Sequence, residues 1–153
     1  MLIDTHCHLY YDNLFENLDQ VLARARGQGV TKFICVGTNL SDSKKSLTIS
    51  NKYEGVFASV GIHPHDSKDA PDNFVEEIYD LMKHKNIVAL GEMGLDYFRN
   101  LSEPKIQKRV FRAQLGIAKT LKKPVILHNR DADNDLLKIL SEYPDVRGIA
   151  HCF

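Results

Sequence analysis

The sequence has no excess of either charge and no hydrophobic run long enough to cross a membrane. Its 20 basic and 20 acidic side chains cancel, so the overall charge indicates neither a nucleic-acid binder nor a binder of acidic substrates. A local basic surface is still compatible with this balance. The N-terminus also lacks the charged segment and apolar segment of a secretory signal. We therefore expect a cytoplasmic protein with no membrane partner.

Cysteine is scarce as well. The three cysteines, Cys7, Cys35 and Cys152, are odd in number, widely spaced and without a CxxC pair. They fit a reduced protein in which thiols act as small buried apolar side chains. No linker or low-complexity tract divides the 153 residues, and a 43% hydrophobic content is ordinary for a globular domain.

Short apolar segments alternate with longer amphipathic ones along the whole chain. The predicted strands cover residues 2–8, 32–37, 56–62, 87–92, 124–128 and 147–151. Apolar stripes predict four helices between them, the last formed by Leu136, Leu137 and Leu140. A weaker helix over 41–53 is expected to begin at a Ser41 or Asp42 cap. This spacing predicts a parallel α/β protein with six strands and five crossover helices.

Polar side chains unsuited to a core collect where these strands end. In the first strand, DTHCHL, residues Asp4, His6 and His8 alternate and so point to one side. The later strand ends carry His63 and His65, Glu92 and Asp96, His128 and Arg130, and His151. Active sites of parallel α/β barrels lie at this carboxyl end, so we expect these side chains to meet there.

Imidazoles combined with a carboxylate indicate a divalent-metal site. His6 and His8 present two nitrogens to one side, a geometry that one ion can chelate. Glu92 is placed to bridge this ion to a second one held by His128 and His151. Two such ions can orient a hydroxide for phosphoryl transfer. Zn²⁺, Mn²⁺ and Mg²⁺ all suit these ligand types. Asp4 is expected to accept a hydrogen bond that orients one of the metal ligands.

Three further residues are candidates for contact with the substrate, and each has a structural alternative. Arg130 can pair with a phosphate oxygen or with a neighbouring aspartate. His63 can contact the substrate or belong to a loop shaped by Pro64. Asp96 can serve the site or a turn that follows Gly94.

Taken together, the motifs DTHCHL, GIHPH, ALGEMGLDYF, PVILHNRDA and GIAHCF resemble the TatD-type metal-dependent deoxyribonucleases, a family of amidohydrolase-like barrel hydrolases. The resemblance implies a TIM-type (β/α)8 barrel that hydrolyses DNA phosphodiester bonds with two divalent ions and a metal-activated water. It also implies the ligand set given above, with His6 and His8 on the first ion, Glu92 bridging, and His128 and His151 on the second.

One element of the family pattern has no counterpart in this sequence. The resemblance implies a metal-ligating aspartate after strand seven or eight, which helps to activate the water. We expect this catalytic residue to lie beyond Phe153, and residues 1–153 to be the N-terminal six-stranded part of one barrel of about 250 residues. The alternatives are a metal-dependent hydrolase of a carbonyl substrate and an inactive or oligomerising fragment. The oligomeric state is left open.

Overall fold

The computed structural model describes residues 1–151; Cys152 and Phe153, which complete the motif GIAHCF, lie outside the described residues. Six parallel strands form one sheet in the order of the sequence, curled into a half-barrel. The strands are β1 (Leu2–Cys7), β2 (Val30–Val36), β3 (Val56–Val60), β4 (Ile87–Asp96), β5 (Val125–Arg130) and β6 (Gly148–Ala150). The predicted parallel α/β architecture is therefore confirmed.

Helices connect successive strands, as parallel pairing requires. They are α1 (Asp12–Phe15), α2 (Leu18–Gly27), α3 (Leu40–Lys52), α4 (Phe74–Leu81), α5 (Pro104–Leu121) and α6 (Asp133–Leu140), with a 3₁₀ turn at Pro64–Asp69. The cap predicted for α3 is wrong: the side chain of Asn39 accepts the amide hydrogen of Asp42 instead. None of the described helices is both long and apolar enough to span a bilayer.

The central strands β3 and β4 are buried on both faces, because helices cover the outer face of the sheet and the inside of its curve forms the other. On β2, Phe33 and Cys35 pack with Leu22 of α2, whereas Val36 packs with a separate small cluster. The predicted apolar stripe of α6 is wrong at one position. Leu137 is 64% exposed, and the chain buries Leu136 and Ile139, three residues apart, against the sheet.

The two outermost strands, β1 and β6, each pair with only one neighbour. As a result, Leu2 and Ile3 on β1 and Ile149 on β6 are exposed apolar side chains. Among the described residues, no strand joins β6 back to β1, so the sheet remains open. All six strands still run in one direction, which brings their carboxyl ends to the same side of the molecule.

Candidate metal-binding active site

A cavity of about 750 Å³ opens at the carboxyl ends of the strands. Its lining includes all eight predicted metal ligands and substrate-contacting residues: His6, His8, His63, Glu92, Asp96, His128, Arg130 and His151. Asp4 is not among the lining residues; its Oδ1 accepts the backbone amide hydrogen of His6 at 3.1 Å. The eight residues come from five of the six strands or the segments that follow them. Parallel pairing therefore brings together side chains that are up to 145 positions apart in the sequence.

Glu92 lies at the centre of this cavity and contacts imidazoles from both sides. Its Oε2 is 3.2 Å from Nε2 of His6, and its Oε1 is 3.0 Å from Nδ1 of His128. The ring of His6 stacks on that of His151, with 3.5 Å between the centroids. The side chains of His6, Glu92 and His151 each offer one ligand atom, and these atoms lie within 4.8 Å of one another.

The charge of Glu92 is maintained by its neighbours. Burial alone would raise the pKa of this carboxyl, but the hydrogen bond from His128 and the contact with His6 lower the pKa well below its usual range. Glu92 is therefore an anion at neutral pH. A buried anion surrounded by imidazoles is an environment suited to a divalent cation.

His6 provides a direct test of whether these residues fit a metal ion. Both of its ring nitrogens are buried, and neither has a hydrogen-bond partner among the described residues. The 3.2 Å contact with Glu92 is short enough for a hydrogen bond but is not aligned as one. Leaving a buried polar atom unpaired costs about 1–3 kcal/mol. A metal ion coordinated by one of these nitrogens would remove part of that cost, so the donor set fits.

His8 lies in the same cavity but farther from Glu92. Its Nδ1–H donates to the carbonyl oxygen of Val36 at 2.9 Å, and Tyr10 Oη lies 3.0 Å from the same nitrogen. This bond fixes the tautomer and leaves the Nε2 lone pair free, an arrangement common in metal-binding histidines. The structure does not bring His8 into either group of side chains whose ligand atoms lie within 4.8 Å of one another.

A second group of possible ligands consists of His63, His65 and His128. Asp96 joins two of them: its Oδ2 accepts hydrogen bonds from Nε2 of His65 at 2.7 Å and of His128 at 3.1 Å. The structure thus places His128 beside His63 and His65, whereas the sequence analysis paired His128 with His151. The signal for this arrangement was the position of GIHPH after β3, the strand adjacent to β4.

Asp96 is the last residue of β4 and is almost completely buried. Its carboxylate fits both alternatives: Oδ2 faces His65 and His128, and Oδ1 accepts the amide hydrogen of Arg99 in the turn that follows β4. Burial would raise the pKa of its carboxyl, but the amide hydrogen bond from Arg99 and the two imidazoles lower it. The same carboxylate contributes to a raised pKa of His128, since it acts with Glu92 to outweigh the effect of burial.

Two buried glutamines of α5, which we call the clamp glutamines, hold the strand ends in place. Gln114 accepts the amide hydrogen of Ile62 at 2.8 Å and donates to the carbonyl oxygen of the same residue at 3.0 Å. Gln107 makes the equivalent pair with Asp96, at 2.8 and 3.0 Å. Neither glutamine was predicted from the sequence. Their signal is a separation of seven residues, or two helical turns, on the apolar face of α5.

At the mouth of the cavity, Arg130 stacks on an aromatic ring. Its Cζ lies 3.8 Å from the centroid of Phe98. None of the described ion pairs involves Arg130, so the alternative pairing with Asp131 or Asp133 is not formed. Arg99 also lines the mouth.

Comparison with known proteins identifies the family. The family described as TatD related DNase matches residues 3–153. The chain belongs to this family. A metal-dependent hydrolase of uncharacterised function from Bacillus subtilis, YabD, is 39% identical over 155 residues, covering 100% of this chain and 61% of that protein. The 3'-5' ssDNA/RNA exonuclease TatD of Klebsiella pneumoniae is 37% identical, covering 99% of this chain and 59% of that protein.

Solved structures of the TatD family have the same fold. YjjV, a TatD homologue from Escherichia coli K12, superposes with a TM-score of 0.91 at 30% identity, covering 99% of this chain and 60% of that chain. A TatD family hydrolase from Entamoeba histolytica also gives a TM-score of 0.91, at 28% identity, covering 99% of this chain and 58% of that chain. The family and the TIM-type fold class are confirmed. The chain spans about three fifths of the length of these relatives.

Proposed function

We propose that the protein is a divalent-metal-dependent hydrolase that cleaves the phosphodiester bonds of DNA. The observation that carries this proposal is the anionic, buried Glu92 between His6 and His128, together with the ring nitrogens of His6, which have no hydrogen-bond partner among residues 1–151. The Klebsiella pneumoniae relative is named as an exonuclease of single-stranded DNA and RNA, which supports a nucleic acid as the substrate. RNA is included in the tests below for that reason.

The proposed ligands remain those expected from the sequence: His6, His8, Glu92, His128 and His151. Glu92 supports two ion positions because its two oxygens face different imidazoles, Oε2 towards His6 and Oε1 towards His128. In this proposal His151 belongs to the position of His6 and not to that of His128, because its ring stacks on the ring of His6. When bound, divalent ions supply a Lewis acid that activates water and neutralises charge on the phosphate. The imidazole-rich set suits Zn²⁺ or Mn²⁺, and Mg²⁺ becomes suitable as carboxylate ligands are added.

Asp96 has a supporting role in this proposal. It accepts a hydrogen bond from Nε2 of His128, which orients the ring so that Nδ1 faces Glu92. A carboxylate behind a metal-binding histidine fixes its orientation and raises its basicity. Because both ring nitrogens of His128 face carboxylates, its pKa is raised, so metal binding at Nδ1 would release a proton.

His63 is proposed to donate a hydrogen bond to a phosphate oxygen. Its Nδ1 accepts the backbone amide hydrogen of His65 at 3.1 Å, so the proton of the neutral ring is on Nε2. Burial and the adjacent His128 lower the pKa of His63 to about 3, which keeps the ring neutral. The Nε2–H group lies 3.9 Å from Glu92 Oε1 and is available to a substrate in the cavity.

We also propose that residues 1–153 form the N-terminal six strands of an eight-stranded barrel. The coverage of about three fifths of each relative supports this proposal. In this arrangement the aspartate that helps to activate water lies beyond Phe153.

The test is cleavage of end-labelled oligonucleotides by the full-length protein that contains residues 1–153, because the proposed barrel and its aspartate are complete only there. Single-stranded DNA, duplex DNA and RNA are incubated with Mg²⁺, Mn²⁺ or Zn²⁺, and then with EDTA. We expect metal-dependent cleavage of DNA, reduced at least about 100-fold in Glu92→Gln, since even outer-shell partners of a metal contribute 10- to 100-fold. His84→Ala, which removes an exposed histidine outside the cavity, is the matched control. Cleavage that persists in EDTA, or no cleavage with any metal, contradicts the proposal.

A further inference from the structure

Beside the cavity, an exposed aromatic ring that the metal site does not use lies against Arg130, one of the lining residues. Phe98 follows β4 by two residues and is 60% exposed. The guanidinium group of Arg130 covers part of the ring, with Cζ 3.8 Å from its centroid. The register of the sheet explains this contact, because Asp96 at the end of β4 pairs with Arg130 at the end of β5. We call the side chains of Phe98 and Arg130 the mouth platform.

The fold gains little from holding these two side chains in this position. A ring that remains 60% exposed buries only part of its apolar surface, so its contribution to the hydrophobic core is small. The two arginines at the mouth, Arg99 and Arg130, take part in none of the described ion pairs. Their charges are therefore available to an anionic ligand that enters the cavity.

A flat, exposed aromatic ring beside a free arginine matches the chemistry of an unpaired nucleotide. Bases of single strands stack on aromatic side chains and on guanidinium planes, while basic groups follow the phosphates. In a duplex the faces of the bases are already stacked on each other, except at the ends. The ring is therefore suited to a base of a single strand or of a frayed end.

We propose that the mouth platform is a base-stacking subsite that holds one nucleotide of a single-stranded nucleic acid next to the phosphate bound near Glu92. This proposal rests on the proposed nuclease function and adds to it the place where one base of the strand binds. Arg130 lines the same cavity as Glu92, so a nucleotide on the platform and a phosphate at the metal site belong to one strand. Arg130 thus acts through its planar face as well as through its charge.

The test measures, by anisotropy in Ca²⁺ and in EDTA, how the full-length protein that contains residues 1–153 binds a fluorescent single-stranded oligonucleotide. Phe98→Ala is expected to weaken binding about 5- to 150-fold, the effect of losing one base–aromatic stack. Arg130→Lys keeps the charge but loses the planar face, and it is expected to weaken binding as well. Phe15→Ala is the matched control, because Phe15 is 54% exposed and lines a separate cavity beside α2 and α3. Thermal unfolding of each variant checks that its fold is intact.

A set of oligonucleotides with a single abasic position locates the stacked base. At one abasic position, the wild-type protein is expected to lose as much affinity as Phe98→Ala loses on the intact strand. At the same position, the missing base should not weaken binding by Phe98→Ala any further. A duplex of the same sequence should bind with no dependence on Phe98. The proposal is overturned if Phe98→Ala behaves like Phe15→Ala, if every abasic position adds to the effect of the variant, or if the chain binds no single strand. Cleavage measured in parallel separates the two proposals: wild-type cleavage without a Phe98 effect contradicts only the subsite.

Discussion

Replacing Gln114 by methionine should remove one clamp glutamine while nearly preserving its volume. The side chain of Gln114 is fully buried and supplies both hydrogen bonds of the Ile62 backbone, at 2.8 and 3.0 Å. Methionine offers neither bond, so a buried amide and a buried carbonyl lose their partner. Each unsatisfied group costs about 1–3 kcal/mol. We expect the free energy of unfolding to fall by about 2–4 kcal/mol, since the gain in apolar burial offsets part of the loss.

Urea unfolding of the metal-free chain, followed by circular dichroism, measures this change. Gln20→Met is the matched control, because Gln20 is exposed on α2, and it should stay within about 0.5 kcal/mol of the wild-type chain. The slope of the free energy against urea concentration should be unchanged for both variants. If Gln114→Met loses less than about 1 kcal/mol, the reasoning on the clamp glutamines is refuted.

Three other perturbations have definite expected outcomes. The pKa of His63 is about 3 in the folded chain and about 6.5 in the unfolded chain. Between pH 3 and 6.5 the folded state therefore binds fewer protons than the unfolded state. The free energy of unfolding should fall by up to about 1.4 kcal/mol for each pH unit that the pH is lowered in this range. His63→Asn should flatten this slope in urea titrations between pH 6 and 4, and an unchanged slope contradicts the assignment. Gly94 has a φ of +147°, and an added Cβ would clash with the carbonyl oxygen of His128, so Gly94→Ala should cost more than about 2 kcal/mol in thermal or urea unfolding. Gly116 in α5 has no atom near the position of an added Cβ, so Gly116→Ala should stabilise by about 0.5–1 kcal/mol; equal effects of the two alanines would contradict this account.

Strand order and strand identity were predictable from the sequence because each βα unit repeats a simple pattern. A buried parallel strand is a short apolar run, and the helix that follows has an apolar stripe. The stripe of α6 was ambiguous in the sequence, since its four apolar residues, Leu136, Leu137, Ile139 and Leu140, allow two helical phases. Burial of Ile139 rather than Leu137 follows from how the helix lies on β5, and the sequence does not contain that information.

The site was predictable in its membership but not in its pairings. The alternation of side chains along β1 and the position of Glu92 near the carboxyl end of its strand were sufficient to predict that His6 and Glu92 share one cavity. Which imidazole faces which carboxylate depends on side-chain rotamers and on the curvature of the sheet. The contacts of Asp96 with His65 and His128 depend on both, as does the stacking of His6 on His151.

The central claim is that side chains from β1, β4 and the end of β6 together bind a divalent ion. Anomalous scattering from crystals soaked in Mn²⁺ or Zn²⁺ tests it most directly. We predict a peak bonded to a ring nitrogen of His6, a carboxylate oxygen of Glu92 and a ring nitrogen of His151, and no such peak in Glu92→Gln crystals. A cavity without anomalous density at saturating metal, with the His6 nitrogens hydrogen-bonded elsewhere, would contradict the account.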